Sequence, residues 1–173
     1  MDIFEALETR HSYRGDFTDY KLTQKEMETI LKAGIAAPIG MGIPTTFYVA
    51  VNDSSLIKEL SAVVPNRGLK TAPFVLVMLT MDKSGGNRMN FEIENYSAAT
   101  ENILLAVTAM GFATVWTDGI LRMPNTNISV RKILNIPDEF SIRAVLPIGK
   151  PVEKIPPHEK ETLDNLVKFN GFK

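Results

Sequence analysis

The chain has 173 residues, of which 45% are hydrophobic, and this composition is sufficient for the core of a single domain. Its 19 lysines and arginines nearly balance 20 acidic residues, so the net charge of −1 gives no broad field that would attract nucleic acid or an anionic membrane. Cysteine is absent, which excludes disulfides, thiolate nucleophiles and cysteine-ligated zinc, and two histidines are too few for a histidine-rich metal site.

The N-terminal part is predicted to be helical. Residues 2–10 carry apolar side chains at helical spacing, and a capping box at Thr23 and Glu26 opens a second helix that ends near Pro38. The start of the chain is acidic and amphipathic, unlike a signal peptide, and no apolar run approaches the roughly 18 residues of a membrane span. We therefore expect a cytoplasmic protein.

Strands and helices alternate in the central part. Segment 45–51 is rich in β-branched and aromatic residues and predicts a strand, and a capped helix follows from Asp53 or Ser54 to about Val63. The apolar run 72–81 predicts a strand that is buried on both faces. Segment 82–90 has two adjacent glycines and no periodicity, so we expect a mobile loop that could serve as a lid.

The longest predicted helix runs from about Phe91 to Met110. Its second half, NILLAVTAM, is apolar almost all round and must be covered by the core or by another subunit. A strand at 112–119, a helix at 127–135 and a last strand at 140–149 complete the pattern. The order α-α-β-α-β-α-β-α-β predicts an α/β or α+β domain of three layers.

The end of the chain has a different character. Beyond Gly149 it is charged and interrupted by prolines, and only 162–169 resumes a weak helical pattern. We expect residues 151–173 to form an extension that packs on a partner chain.

The stretch RHSYRGDF places Arg10, Ser12 and Arg14 at every second position. In an extended segment these side chains would project on one side, where two guanidinium groups and a hydroxyl can hold a phosphate. The alternative is that Arg10 complements the end of the first helix and that Arg14 is a solvated turn residue.

Four segments in this order and spacing resemble the nitroreductase-like family of FMN-dependent oxidoreductases, as a short member. They are RHSYRGDF, AAPIGMGIPTTFYV, NILLAVTAMGFATVWTDG and LNIPDEFSIRAVLPIGKP. The resemblance implies a single α+β domain over residues 1–173, built as a three-layer α/β/α sandwich around a mixed, largely antiparallel sheet. It also implies a homodimer with non-covalent FMN at the subunit interface. NADH or NADPH would be the electron donor, and a ping-pong mechanism would carry a hydride to nitroaromatic, quinone or similar acceptors.

The resemblance assigns the first segment to the phosphate end of the flavin. It implies that Arg10 and Ser12 hold the phosphate, that Arg14 reaches the ribityl chain or the O2 edge of the ring, and that His11 contributes mainly its backbone. Basic residues after the last strand would complete the phosphate site, and the candidates are Lys150, Lys154 and Lys160. The family's Lys-Pro-Arg trio is replaced here by Lys154-Ile155-Pro156, and a solvated tail lysine is the alternative for Lys154.

A second implied contact comes from the other subunit. The backbone of Pro38, Ile39, Gly40 and Gly42 would cross the interface and lie against its flavin, and glycine permits that close approach. The G-x-G here lacks the preceding strand and third glycine of a Rossmann fingerprint. The chain also departs from its relatives, because Gly42 and Thr45 stand where the family commonly has Asn and Trp. Lost ring contacts there would favour an alternative function, a flavin-storage or redox-sensing protein with little turnover.

The third implied contact is the segment Trp116, Thr117, Asp118 and Gly119, which would follow the other edge of the ring. A backbone N–H of Asp118 or Gly119 would be directed at flavin N5, which receives the hydride. Judged by residue type alone, Trp116 is typical of a core and Asp118-Gly119 of a turn.

We expect no catalytic side chain and no metal, because the chemistry belongs to the flavin. Segments 82–90 and 120–126 would shape a shallow, broad substrate pocket. A relative active in dehalogenation or flavin-ring breakdown would usually carry a longer lid than a chain of 173 residues accommodates.

Overall fold

The structure is a computed structural model, and residues 1–84 and 89–172 are described. The helices are α1 (Ile3–Thr9), α2 (Gln24–Ile35), α3 (Ser54–Val63), α4 (Glu92–Ala109), α5 (Pro124–Leu134) and α6 (Leu163–Leu166). The strands are β1 (Thr46–Val51), β2 (Phe74–Thr80), β3 (Ala113–Thr114) and β4 (Ser141–Gly149). Short 3-10 helices lie at Gly40–Gly42, Arg67–Lys70 and Gly119–Arg122. The predicted order of helices and strands is therefore confirmed.

The four strands form one sheet in the order β1-β2-β4-β3, and each neighbouring pair is antiparallel. Strand β2 lies at the centre and is buried at every position, which confirms the prediction from its apolar run. Val77 illustrates the register, since it stands opposite Val49 of β1 and Val145 of β4.

Helices cover both faces of this sheet because successive strand residues point to opposite sides. On one face Val77 and Val145 pack in a cluster with Leu60 of α3 and Val130 of α5. On the other face the core consists of residues from β2, β4, α2 and α4, including Leu76, Leu146, Ile30 and Ile103. The expected three-layer α+β fold is confirmed, but the sheet of the described residues is antiparallel throughout and not mixed.

The start of helix α2 agrees with the prediction from the sequence, and the start of helix α5 differs from it. The Thr23 side chain accepts a hydrogen bond from Glu26 N while Glu26 accepts one from Thr23 N, which is the predicted capping box. Helix α5 begins at Pro124, earlier than the predicted 127, because proline suits the first turn of a helix, where its missing N–H is not needed.

The strand predicted at 112–119 is much shorter than expected. Regular pairing covers only Ala113–Thr114, and Thr117 returns to the sheet as an isolated bridge to Val145. A 3-10 helix then begins at Gly119, so residues predicted to be strand form an irregular rim at the sheet edge. Within the predicted loop 82–90, residues 85–88 lie outside the described residues.

Several apolar side chains of the described chain remain exposed. Helix α1 exposes Ile3, Phe4 and Leu7, and α6 with the residues after it exposes Leu163, Leu166 and Phe169. In the second half of α4, Ile103 and Val107 are buried, but Ala109 is exposed. This chain alone therefore does not cover that helix on every side. No helix in residues 1–84 and 89–172 combines the length and hydropathy needed to cross a membrane.

Candidate active site

A cleft of about 400 Å³ brings together three sequence segments that are far apart in the chain. The predicted site residues that line it are Arg14, Trp116, Thr117, Asp118 and Gly119. We call it the inner cleft. Its other wall is formed by Pro65, Asn66 and Arg67, which the sequence did not single out as site residues.

Buried backbone contacts place Arg14 at this cleft. Tyr13 is 1% exposed, its N–H donates to Thr114 O at 2.9 Å, and its hydroxyl donates to Asp16 O at 2.6 Å. The N-terminal segment is thus fixed beside the end of β3. Arg14 itself is exposed, and within the described ranges it forms no ion pair. Its positive charge is available to a ligand.

Asn66 connects the two walls of the inner cleft. Its Nδ2 donates to Thr117 Oγ1 at 2.7 Å, and its Oδ1 accepts from Gly68 N at 2.9 Å. The second bond is an Asx turn, for which the Asn-Arg-Gly sequence is a recognisable signal. That signal predicts a turn and carries no information about the contact with Thr117.

Arg67 is held differently from Arg14. Its Nε lies 3.2 Å from both carboxylate oxygens of Asp16, and this hydrogen-bonded pairing lowers the pKa of the Asp16 carboxyl. Arg67 therefore shares its charge with an internal partner at the rim of the cleft, whereas Arg14 does not.

The turn at Asp118 and Gly119 presents backbone N–H groups. The first hydrogen bond of this turn is donated by Leu121 N to Asp118 O at 2.9 Å, so the N–H groups of Asp118 and Gly119 precede its bonded part. A Cβ added to Gly119 would meet no heavy atom within 4 Å, which shows open space beside this backbone. The Asp118 carboxylate is turned to Arg122, whose Nη2 lies 2.9 Å away.

Trp116 is partly buried against the core and lines the inner cleft. Its Nε1 donates to the Tyr96 hydroxyl at 2.6 Å, and the two rings meet edge to face with centroids 5.4 Å apart. Burial raises the pKa of Tyr96 to about 12, with the Trp116 hydrogen bond acting in the opposite direction. Tyr96 therefore stays protonated at any physiological pH.

A larger cleft of about 850 Å³ continues on the other side of Trp116. We call it the outer cleft, and it shares Trp116 and Asp118 with the inner one. Its further lining comes from α4, α5, the start of β4 and the 3-10 helix, and includes Tyr96, Leu121, Arg122, Pro124, Ile128, Arg131 and Arg143. The contribution of Leu121, Arg122 and Pro124 agrees with the expected part of segment 120–126 in the pocket.

A partly buried ion pair supports the outer cleft. Arg143 Nη2 lies 2.6 Å from Glu92 Oε1, and Thr80 Oγ1 contacts both side chains. Burial alone would raise the pKa of Glu92, but hydrogen bonds from Thr80, Arg143 and Asn90 outweigh it and lower that pKa. The pair ties the N-terminus of α4 to strands β2 and β4.

Other predicted residues lie away from the inner cleft. Arg10 packs toward α4, with its Nε 3.2 Å from Glu101 Oε1, and Lys150 lies over the Tyr20 ring at 5.6 Å from its centroid. Ser12 is partly buried. His11 and Lys154 line a third cavity of about 310 Å³, where His11 Nε2 is buried and has no partner among the described atoms.

The segment of Pro38, Ile39, Gly40 and Gly42 lines neither the inner nor the outer cleft. Pro38, Ile39 and Gly42 are exposed, and Gly40 packs against Phe91 and Asn95. The residues that are predicted to contact one flavin thus lie on several separate surfaces of this chain.

The donors of the inner cleft fit the edge of a flavin ring. Arg14 supplies a cation, Asn66 an amide, and Asp118 and Gly119 backbone N–H groups beside open space. Carbonyl oxygens and ring nitrogens are acceptors that such donors can bind, and a cation stabilises negative charge on them.

Comparison with known proteins gives consistent matches. The model of the Nitroreductase family matches residues 58–150, more than half of the chain. A protein of Methanothermobacter thermautotrophicus, provisionally named NADH dehydrogenase/NAD(P)H nitroreductase, is 28% identical over 154 residues, which are 88% of this chain and 79% of that protein.

Solved structures share the fold over nearly the whole chain. A Parabacteroides distasonis protein with the same provisional name is 27% identical with a TM-score of 0.86, and the match covers 98% of each chain. An FMN-dependent nitroreductase of Clostridium difficile is 25% identical with a TM-score of 0.83, and the match covers 98% of this chain and 99% of that one.

Proposed function

Because the chain belongs to the nitroreductase family, we propose that it is an NAD(P)H-dependent oxidoreductase that uses non-covalent FMN to reduce nitroaromatic, quinone or similar acceptors. The observation that carries this proposal is the inner cleft. There Arg14, Asn66 and the backbone of Asp118 and Gly119 converge from distant parts of the sequence on one open space.

We assign the ring of FMN to the inner cleft and its phosphate to the side of Arg10 and Ser12. Arg10 can serve there although it pairs with Glu101, because this contact uses Nε and the guanidinium has two further amino groups. Glu101 would then orient Arg10, and Lys150 after β4 and Lys154 in the extension would add positive charge. His11 belongs to this proposed site through its backbone.

When bound, FMN supplies the two-electron chemistry, accepting a hydride from NADH or NADPH and passing it to the acceptor. The residues of the chain position the flavin and stabilise its negative charge, and they do not exchange protons. Arg14 offsets negative charge at one edge of the ring site, and the N–H groups of Asp118 and Gly119 stabilise charge at the other. Trp116 lines both clefts and is kept in place by Tyr96.

We infer that the donor and the acceptor occupy the outer cleft in turn, as a ping-pong mechanism requires. The cleft shares Trp116 with the inner one and is broad enough for a flat aromatic molecule, at about 850 Å³. Arg122, Arg131 and Arg143 line it, and although each is paired with a carboxylate of the chain, a guanidinium has five N–H donors, some of which can still bind phosphate groups such as those of a dinucleotide.

A homodimer is part of the same proposal. The exposed apolar side chains of α1 and of α6, and the largely exposed residues 151–172, are surfaces that a second copy could cover. The exposed backbone at 38–42 would then complete the flavin site of the second subunit. We propose one domain over residues 1–173 whose extension, residues 151–173, packs on that subunit, and a cytoplasmic location, where nicotinamide dinucleotides are available as reductants.

An absorbance experiment tests the function. The purified protein is mixed with FMN, excess flavin is removed, and NADH or NADPH is added without oxygen. Bound flavin that bleaches and is reoxidised by a quinone or a nitroaromatic supports the oxidoreductase. Bound flavin that stays oxidised favours a storage or sensing protein, and absence of bound flavin contradicts both.

A further inference from the structure

Asn95 is a buried side chain that forms three hydrogen bonds to one short segment. Its Oδ1 accepts from Gly40 N at 2.7 Å, and its Nδ2 donates to Ile43 O at 3.2 Å and to Thr45 Oγ1 at 2.9 Å. The residue is 3% exposed and projects from α4. One amide thus joins the beginning and the end of residues 40–45.

The segment that Asn95 holds has an uncommon backbone conformation. Met41 and Gly42 are consecutive residues with φ of 54° and 68°, in the left-handed region that non-glycine residues seldom adopt. Within the segment the backbone hydrogen bonds are Gly42 N to Ile39 O at 3.4 Å and Ile43 N to Gly40 O at 3.1 Å. The first of these bonds is long and the second is of ordinary length, so contacts with α4 add restraint to a conformation of this kind.

Packing at Gly40 adds a second restraint. A Cβ at this position would collide with the ring of Phe91, so the backbone lies directly on that ring. The peptide N–H of Gly40 is aimed at Asn95 from the same place. The inner side of the segment is therefore fixed by α4 while Ile39 and Met41, 43% and 60% exposed, face outward.

We propose that Asn95 is a positioning residue that holds the outward face of residues 38–42 in the shape required to bind the flavin of the second subunit. This inference rests on the proposed function. It also accounts for Thr45, which is 3% exposed and serves as an acceptor for Asn95, so a residue that departs from the family pattern helps to hold the segment.

Two variants test it beside a matched control. Asn95→Ala removes all three bonds, and Thr45→Val removes only one acceptor with little change of shape. Asn102→Ala is the control, because Asn102 also lies on α4 and its Nδ2 donates to Ala33 O at 3.1 Å without contacting the segment. The measurements are melting temperature, FMN dissociation constant and the absorbance spectrum of bound flavin.

We expect Asn95→Ala to weaken FMN binding by about 10-fold or more and to alter the bound-flavin spectrum. Thr45→Val should give a smaller change in the same direction, which remains measurable if Asn95→Ala does not fold. Asn102→Ala should lower the melting temperature and leave affinity and spectrum unchanged.

Asn95→Asp tests the positioning role through the pH dependence of FMN affinity, which a merely structural role would not change. An ionised carboxylate keeps the bond from Gly40 N but repels Ile43 O, whereas a protonated carboxyl can donate to that carbonyl. Among described residues, those that line the small space at Asn95 carry no titratable side chain: Gly40, Ile43, Thr45, Ser84, Met89, Asn90 and Phe91. On α4 the carboxylate of Glu92, one turn earlier, is paired with Arg143. FMN affinity of this variant should rise as the pH falls, relative to the unchanged chain.

The outcomes are distinguishable. If the unchanged chain does not bind FMN, the proposed function fails, and this inference fails with it. If the unchanged chain binds FMN and Asn95→Ala and Thr45→Val bind it equally well with the same spectrum, the positioning role is overturned while the proposed function stands.

Discussion

Asn66 Nδ2 donates a hydrogen bond to Thr117 Oγ1 at 2.7 Å, although the two residues are 51 positions apart in the chain. This contact joins the 3-10 helix after α3 to the rim after β3 and so creates the inner cleft. We expect Asn66→Ala to weaken FMN binding by about 1–2 kcal/mol, because the amide and the placement of Thr117 are both lost. A flavin titration measures the change.

Asn52→Ala is the control for Asn66→Ala. Its side chain is exposed and lines neither the inner nor the outer cleft, so FMN affinity should not change. Equal affinity of Asn66→Ala and Asn52→Ala would mean that Asn66 is a turn residue without a part in the site.

Arg14 and Arg67 form a matched pair of arginines on one cleft. Arg14→Ala should weaken FMN binding by about 2 kcal/mol, since a charge-assisted contact is lost. Arg67→Ala should have a smaller effect, because Arg67 is already engaged by Asp16. FMN dissociation constants of both variants, measured at two ionic strengths, would show this difference. A larger effect of Arg67→Ala would mean that Arg67, and not Arg14, contacts the flavin.

Trp116 is the sole tryptophan of the sequence and lines both clefts, so intrinsic tryptophan fluorescence reports directly on this region. We expect its emission to be quenched as FMN binds, with a titration curve that matches flavin absorbance. Tyr96→Phe should change the emission of the flavin-free protein, because Trp116 Nε1 loses its acceptor. Emission that is unaffected by FMN would place the flavin elsewhere.

Glu92 should make stability depend on pH in the acid range. Its folded-state pKa lies below the usual 4.5, so its stabilising contribution is present above that value and is lost as the pH falls through the folded pKa. Glu92→Gln should cost about 2 kcal/mol at pH 7 and flatten the acid part of the profile. Urea unfolding between about pH 3.5 and 7 measures both effects.

Glu28→Gln is the comparison for Glu92→Gln. Glu28 forms an exposed pair with Lys32 at 3.8 Å, and pairs of this kind contribute little. Its pH profile should follow that of the unchanged chain, and a profile of Glu92→Gln with the same slope would contradict the role of the buried pair.

Phe4 tests the proposed dimer. It is 73% exposed on α1, beside Ile3 and Leu7, and a charge in this apolar surface would oppose association. Phe4→Glu should shift the protein toward the monomer in sedimentation or size-exclusion measurements and reduce FMN retention. Lys58→Glu, on α3, is the control and should leave the mass unchanged. A monomeric, FMN-loaded unchanged chain would contradict the dimer.

Local features of the fold were predictable because they depend on neighbouring residues. The capping box at Thr23, the fully buried strand β2 and the order of helices and strands each follow from periodicity or side-chain chemistry within a few positions. The strand predicted at 112–119 failed for a related reason, because an alternating pattern does not reveal that pairing stops after Thr114.

The sequence by itself determined the elements, the family resemblance and the segments expected to contact a flavin. Only the tertiary structure showed that Asn66 meets Thr117, that Glu101 holds Arg10, and that Asn95 fixes the segment around Gly40. The physical reason is that these bonds join residues distant in the chain, and their geometry depends on how the helices pack on the sheet. The local periodicity of the sequence gives no information about that packing.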